Sequence, residues 1–163
     1  FLFKNEVSRK SPEVVQRSVQ AREIGVEPAG RAVMDAAEFS GLLALARRVH
    51  VPESVASYIA RLVHATHPGE SAASAGVRYG ASPRAALALA AAAKARGLRH
   101  GRPHASLEDV QAVARPVLAH RILLDHGARL DGATPAQVVD RLLAEVPVQT
   151  TPLPTSLAAA KIR

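Results

Sequence analysis

The 163-residue chain contains no cysteine and no tryptophan, and aromatic residues make up only 3% of it. The lack of cysteine excludes disulfides and thiolate metal sites. It fits a reducing compartment, and a cytoplasmic location is the expectation. The lack of aromatics means that the core must be built from Ala, Leu, Val and Ile, within a hydrophobic share of 48%. That composition favours closely packed helices. Long apolar runs are missing too. The best candidate, Ala85 to Ala93, falls short of the ~18 residues needed to span a membrane. No secretory signal is visible at the start. The chain opens at Phe1 without an initiator Met and is expected to be part of something longer.

The equipment of a self-sufficient enzyme is also missing. No Gly-Lys pair occurs, so there is no GxxxxGKS/T phosphate loop. No apolar run ends in a carboxylate pair that could hold Mg²⁺, and GxSxG and HExxH are absent. The acidic residues are scattered, with no sign of a paired-carboxylate site. Seven histidines are present, and His64 and His67 stand at an i, i+3 spacing. With no third ligand nearby in sequence, a polar helix end is the better reading than a zinc site. His120, next to Arg121 beside an apolar stripe, reads as a partly buried histidine hydrogen-bonded to backbone. Glu108 and Asp109 read as helix-start residues and not as general bases.

What is present is basic charge and helical signals. Net charge is +7 and the pI about 10.8, which could mean a polyanionic partner. The arginines are spread along the chain, so solvated helix faces are the preferred reading.

In chain order, Phe1 to Lys4 with Val7 reads as an orphan strand. Ser11-Pro12-Glu13 opens a helix that Gly25 stops, and a loop follows to Asp35. Ala36 to Arg48 has helical composition. Val49-His50-Val51 could be a small strand. Pro52-Glu53 begins a helix whose apolar stripe is Val55, Ile59, Leu62, Val63 and Thr66. Residues 68–78 have no periodicity and read as a mobile loop. A helix over 83–98 is expected to be the central, most buried one, with Leu87 and Leu89 as bulk and Gly97 and Gly101 ending it. Pro103-His104-Ala105 is expected to pair with residues 49–51. Ser106 to Asp109 forms a capping box. Its helix should kink or restart at Pro116 and resume to Leu124. Residues 127–133 read as a turn-rich connection. Thr134 to Gln137 is a second capping box, with Pro135 at the first helical position, and Val138, Leu142 and Val146 give that helix its face. Beyond Pro147, Pro152 and Pro154 break any regular element. The fold class is therefore all-α, a helical bundle with at most a tiny two-stranded β ladder. Three regions are expected: 1–7, 8–146 and a flexible tail, 147–163.

One stretch stands out, Tyr79-Gly80-Ala81-Ser82-Pro83-Arg84-Ala85. Ser82 can cap, Pro83 suits the first helical position and Arg84 falls in the first turn. A helix N-terminus is already partly positive and prefers acidic residues. A cation beside free backbone N–H groups makes a plausible anion site. Otherwise Arg84 points into solvent or pairs with a carboxylate elsewhere.

These residues also carry a resemblance. Gly80-Ala81-Ser82-Pro83-Arg84-Ala85, Ala92-Ala93-Lys94-Ala95, Gly101-Arg102-Pro103-His104, Glu108-Asp109-Val110 and Val117-Leu118-Ala119-His120-Arg121 look like the C-terminal lid domain of MoxR-type AAA+ ATPases. Val49-His50-Val51, Tyr58-Ile59 and Val138 to Leu143 fit as well. The likeness covers most of residues 36–146. Residues 1–7 resemble the end of the last strand of the α/β ATPase core.

The resemblance implies that Arg84 is the sensor-2 arginine, reaching from the lid to the γ-phosphate of ATP, with Ser82 and Pro83 beside it in the nucleotide site. It implies an ATP-hydrolysing parent whose core holds the phosphates and Mg²⁺, while this chain alone binds no cofactor durably and does not hydrolyse ATP. It further implies neighbouring AAA+ subunits in a ring, chaperone-like remodelling of a client protein and a von Willebrand A-domain partner. The alternatives are the similar lid of magnesium-chelatase subunits, a basic helical nucleic-acid-binding module, or a helical adaptor. Scarce aromatics and unclustered basic residues disfavour nucleic acid.

Overall fold

A computed structural model describes residues 32–148, together with Gln16 and Val19, both helical. The expected strand at 1–7, most of the helix from Pro12 and the tail beyond Val148 lie outside the described residues. Between residues 32 and 148, six helices, two short strands and two 3₁₀ turns follow one another: α1 (Ala36–Arg48), α2 (Glu53–His64), a 3₁₀ turn (Ala72–Ser74), β1 (Val77–Tyr79), α3 (Pro83–Arg99), α4 (Leu107–Leu118), a 3₁₀ turn (Ala119–Arg121), β2 (Leu123–Leu124), α5 (His126–Leu130) and α6 (Pro135–Glu145). The all-α class holds. Among the described residues no helix is long and apolar enough to cross a membrane.

α1 starts on a reciprocal cap. Asp35 Oδ1 accepts from the Glu38 amide at 2.7 Å, and Glu38 Oε2 accepts from the Asp35 amide at 2.9 Å. No residue of α1 is buried.

From residue 45 onward the chain forms its own compact unit. Tyr58 and Leu62 of α2, Leu89 of α3, Val110 and Leu118 of α4, and Val138, Val139 and Leu142 of α6 are fully buried in one core. Ala85, Ala92 and Ala93 on α3 and Ala114 on α4 fill the positions where the two backbones run close. Small side chains there permit that approach at no cost in helix propensity. The expectation that α3 is the central helix needs correction. α4 is the hub, packing against α2, α3, α6 and the Ala119–Arg121 turn. Many of the alanines of α3 are partly or fully exposed, and Leu87 is 73% exposed. Alanine favours the helical backbone whether buried or not, so an alanine run marks a helix better than it marks a core.

Both capping boxes form as the sequence predicts. Ser106 and Asp109 open α4, and Thr134 and Gln137 open α6 with Pro135 at its start. Pro116 does not restart the helix. α4 runs through it to Leu118, tightens into the 3₁₀ turn and then becomes extended. A proline near a helix C-terminus forfeits only one backbone bond.

Three other expectations are corrected. Leu123–Leu124 does not continue a helix but pairs antiparallel with Val77–Tyr79, in register Val77 to Leu124 and Tyr79 to Leu123. The 68–78 loop is therefore structured. Glu145 accepts from the Ala72 and Ala73 amides at 3.0 and 2.7 Å, and Ser71 caps its 3₁₀ turn. Gly76, with φ of 79°, turns the chain into β1, a conformation that costs glycine little. Residues 127–133 hold the short helix α5, capped by Asp125, whose carboxylate accepts from the Ala128 amide at 2.8 Å.

The expected pairing of 49–51 with 103–105 reduces to one parallel bridge, His50 to His104. It is made by His50 N–H to the Pro103 carbonyl and Ala105 N–H to the His50 carbonyl, both at 2.9 Å. Gly97 does not end α3 but lies in its last turns, buried beneath that bridge. A Cβ there would meet the His104 carbonyl oxygen at 2.9 Å. Gly101, with φ of 69°, makes the actual exit.

Candidate functional site

The start of α3 is set by the end of α2. α2 closes at His64, and Thr66 follows in the turn, fully buried. Its sequence reading as one more apolar stripe residue is incomplete, because its hydroxyl does the work. Thr66 Oγ1 donates to the Val63 carbonyl at 2.6 Å and accepts from the Ala81 amide at 2.8 Å. Beside this bond Gly80 runs against the same turn. A Cβ on Gly80 would lie 2.8 Å from both the His67 Cα and the Thr66 carbonyl oxygen, so any larger residue collides with backbone.

From Ala81, which is fully buried, the chain passes to Ser82 in an extended conformation, and Pro83 takes the first helical position. The expectation that Ser82 caps α3 through its side chain is not met. Its backbone has N-cap geometry, but its hydroxyl makes no cap bond. Instead its carbonyl accepts from the Ala85 amide at 2.7 Å. Proline explains much of this: it brings no N–H to the first turn, so fewer donors need a cap.

Ser82, Pro83 and Arg84 are all exposed, and Ala85 is the first residue of α3 to enter the core. α3 has no acidic residue in its first turn. Among the described residues Arg84 forms no ion pair and no side-chain hydrogen bond. The carboxylate-partner alternative thus finds no support there. A cation stands at the positive end of a 17-residue helix, where the local field disfavours it.

The other end of α3 is built differently. Asp109 of α4 is almost fully buried and joins two arginines that flank the exit of α3. Its carboxylate accepts from Arg102 at 2.7 Å, lies 3.4 Å from Arg96 Nε, and accepts from the Ser106 amide and hydroxyl at 2.9 and 3.2 Å. Burial alone would push its carboxyl up, but the Arg102 hydrogen bond, the bonds from Ser106 and the Arg102 charge together hold it below the ordinary aspartate value. The hydrogen bond to Asp109 in turn raises Arg102 above the usual arginine value. Asp109 is a helix-start residue, as expected, and is also a buried ion centre. Lys94 Nζ donates to the Arg47 carbonyl at 2.7 Å. Much of the basic charge at this end is thus tied into the fold, and cations there complement the helix C-terminus.

The histidines do not converge. His64 pairs with Glu70 at 2.9 Å. His120 is exposed beside Arg121, not partly buried and bonded to backbone as expected. No group of three or more His, Cys, Asp or Glu is placed to hold a metal ion among the described residues. Arg61 lies over the Tyr58 ring at 5.7 Å and donates to the Pro147 and Val148 carbonyls at 2.7 and 3.3 Å. It fastens the chain that leaves α6.

Comparison with known proteins agrees with this geometry. Residues 69–142, from before β1 into α6, match the AAA lid domain family. The chain is 33% identical over 150 residues to Chaperone MoxR1 of Mycobacterium tuberculosis, covering 90% of this chain and 40% of that protein. Residues 69–142 are thus an AAA lid domain, and the chain is similar to MoxR-type proteins. It is also 32% identical over 105 residues to YeaC of Bacillus subtilis, a protein of uncharacterised function, covering 63% of this chain and 31% of YeaC. Among solved structures, a candidate ATPase from Cytophaga hutchinsonii superposes with a TM-score of 0.62 at 35% identity, over 66% of this chain and 34% of the other. The chain thus spans less than half the length of each of these relatives. At the opening of α3 the fold leaves Ser82, Pro83 and Arg84 exposed, with no ion pair to Arg84 among the described residues.

Proposed function

We propose that this lid closes over ATP held by an AAA+ α/β core and that Arg84 is its sensor-2 arginine. The observation that carries this reading is the exposed guanidinium at the start of α3, which has no ionic partner among the described residues. A guanidinium forks two N–H groups toward phosphate oxygens. Directed at a transferring phosphoryl group, it stabilises the charge that develops there. Ser82 and Pro83 shape the approach, with the Ser82 hydroxyl not committed to capping and available to a polar ligand. Mg²⁺ and most phosphate contacts belong to the core, and this chain alone is expected to turn over no ATP.

On this reading hydrolysis removes the group that holds Arg84, and the lid moves against the core. A ring of such subunits, cytoplasmic like the reducing conditions the composition suits, passes that motion to a client protein. The name of the mycobacterial relative, Chaperone MoxR1, supports a chaperone-like outcome, and a von Willebrand A-domain protein is the expected partner class.

The test is Arg84→Ala in the protein that joins this lid to its ATPase core. Loss of one preorganised donor to a transition-state oxygen is expected to lower kcat by about 10- to 100-fold. Unchanged ATP turnover refutes the assignment.

A further inference from the structure

We infer that Thr66 is a positioning residue for Arg84, fixing through one buried hydroxyl the point from which the arginine reaches its ligand. The inference rests on the reading of Arg84 given above.

Three observations carry it. First, the bond is buried at both ends, since Thr66 and Ala81 are each fully inaccessible. Water cannot replace it without entering the core. Secondly, Thr66 is the side-chain acceptor for the Ala81 amide, so removing the hydroxyl orphans that donor. The Val63 carbonyl does not depend on the hydroxyl in the same way, because it also accepts from the Thr66 amide at 3.2 Å. The loss therefore falls on Ala81 alone. Thirdly, the path from Ala81 to Arg84 is short and stiff. Gly80 is wedged against Thr66 and His67 on one side, and Pro83 fixes its own φ on the other. Ala85 is anchored in the core. With both flanks fixed, little slack remains between the Thr66 bond and the Arg84 Cα.

The hydroxyl itself is preorganised. A threonine at the end of a helix can turn its hydroxyl back onto the carbonyl three residues earlier, and Thr66 does so on Val63. Its lone pairs then face Ala81. The same bond joins the end of α2 to the start of α3. A displacement of either helix is passed to the arginine at that point, which gives lid movement and phosphate contact a common mechanical element.

The experiment compares Thr66→Val, Thr66→Ser, Arg84→Ala and the Thr66→Val/Arg84→Ala double variant in the protein that carries both lid and core. Valine keeps the shape and removes the hydroxyl, while serine keeps the hydroxyl. Misplacement by about 1 Å can cost up to ~100-fold in rate, and Thr66→Val is expected to lower kcat about tenfold with KM changed much less. Thr66→Ser is expected to retain most of the wild-type rate. The decisive readout is the double variant, expected to be no slower than Arg84→Ala, because a positioning residue has nothing left to position. If Arg84→Ala itself leaves turnover unchanged, the sensor assignment fails. If Arg84→Ala is slow but Thr66→Val is not, or if the two losses multiply in the double variant, the positioning role is overturned while the sensor assignment stands. Should Thr66→Val fail to fold, Thr66→Cys takes its place, since a thiol is a much weaker acceptor of similar size.

Discussion

Asp109→Asn is the perturbation that most directly tests how the lid is held together. The wild-type carboxylate divides its two oxygens. Oδ1 faces Arg102 at 2.7 Å and Arg96 at 3.4 Å, and Oδ2 takes the Ser106 amide and hydroxyl. An asparagine has only one acceptor oxygen. Its NH₂ must face either the arginines or the Ser106 N–H, so the variant loses the ion pair and, with it, either the Arg102 hydrogen bond or the Ser106 half of the capping box. Breaking a fully buried pair costs roughly 3–5 kcal/mol. Here the partners can rehydrate, because the Arg96 and Arg102 side chains are 37% and 32% exposed. The expected loss is therefore lower, about 2–3 kcal/mol. For a domain of this size that corresponds to a fall in Tm of about 10 °C.

Urea unfolding followed by circular dichroism at pH 7 measures the loss, and repeating it down the pH scale tests the cause. The folded Asp109 carboxyl is held below its unfolded value, which is about 3.9. Its contribution is present above the unfolded value and is lost as pH falls through the folded one. The stability gap between wild type and Asp109→Asn should therefore be constant near neutrality and narrow in acid below about pH 4. A gap under about 0.5 kcal/mol at pH 7, within the range of ordinary surface changes, refutes the reasoning. So does a gap that stays the same into strong acid.

Two further outcomes follow from packing. Gly80→Ala places a Cβ 2.8 Å from backbone atoms of Thr66 and His67 and is expected to destabilise by about 1–3 kcal/mol, read by thermal melting; a neutral change would mean that the α2–α3 crossing is not tight. Leu89→Ala and Leu87→Ala, two residues apart on α3, should differ sharply. Leu89 is fully buried and its truncation should cost about 2–5 kcal/mol, whereas exposed Leu87 should change stability by no more than about 0.5 kcal/mol. Equal losses would contradict the assigned face of α3.

The elements with side-chain punctuation were the legible ones. Ser106 with Asp109, Thr134 with Gln137, and Pro83 at a helix start each satisfy or remove donors that a helix must otherwise leave open, so the local sequence suffices to locate them. α1 was legible from its helical composition alone, without its Asp35–Glu38 cap. The β1–β2 pair was not, because neither Val77–Tyr79 nor Leu123–Leu124 is long enough to show a period, and each needs the other, more than forty positions away along the chain, to be a strand at all. The ordering of residues 72–74 depends on Glu145, a carboxylate more than seventy positions later. Thr66 was legible as a buried residue but not as a hydrogen-bonding one, since its spacing fits the apolar stripe of α2. The single available hint was a hydroxyl on a stripe otherwise made of hydrocarbon. Arg84 was legible through its conflict with the helix field, and that conflict survives folding.

The two ends of α3 make the case for Arg84 by contrast. At the C-terminus, cations are where the helix dipole favours them, and Arg96 and Arg102 are bound to a buried carboxylate. Each contributes to stability where it stands. At the N-terminus the field is reversed, no acid occupies the first turn, and Arg84 is left exposed without an ionic partner among the described residues. An uncharged or acidic residue at that position would be expected to stabilise the isolated lid by about 0.3–1 kcal/mol. The helix field therefore does not account for the arginine, while the buried Thr66–Ala81 bond satisfies a core amide and fixes the segment from which Arg84 projects. On the proposed function, a negative ligand supplied from outside the lid would reverse the local field at Arg84 and use its fixed position.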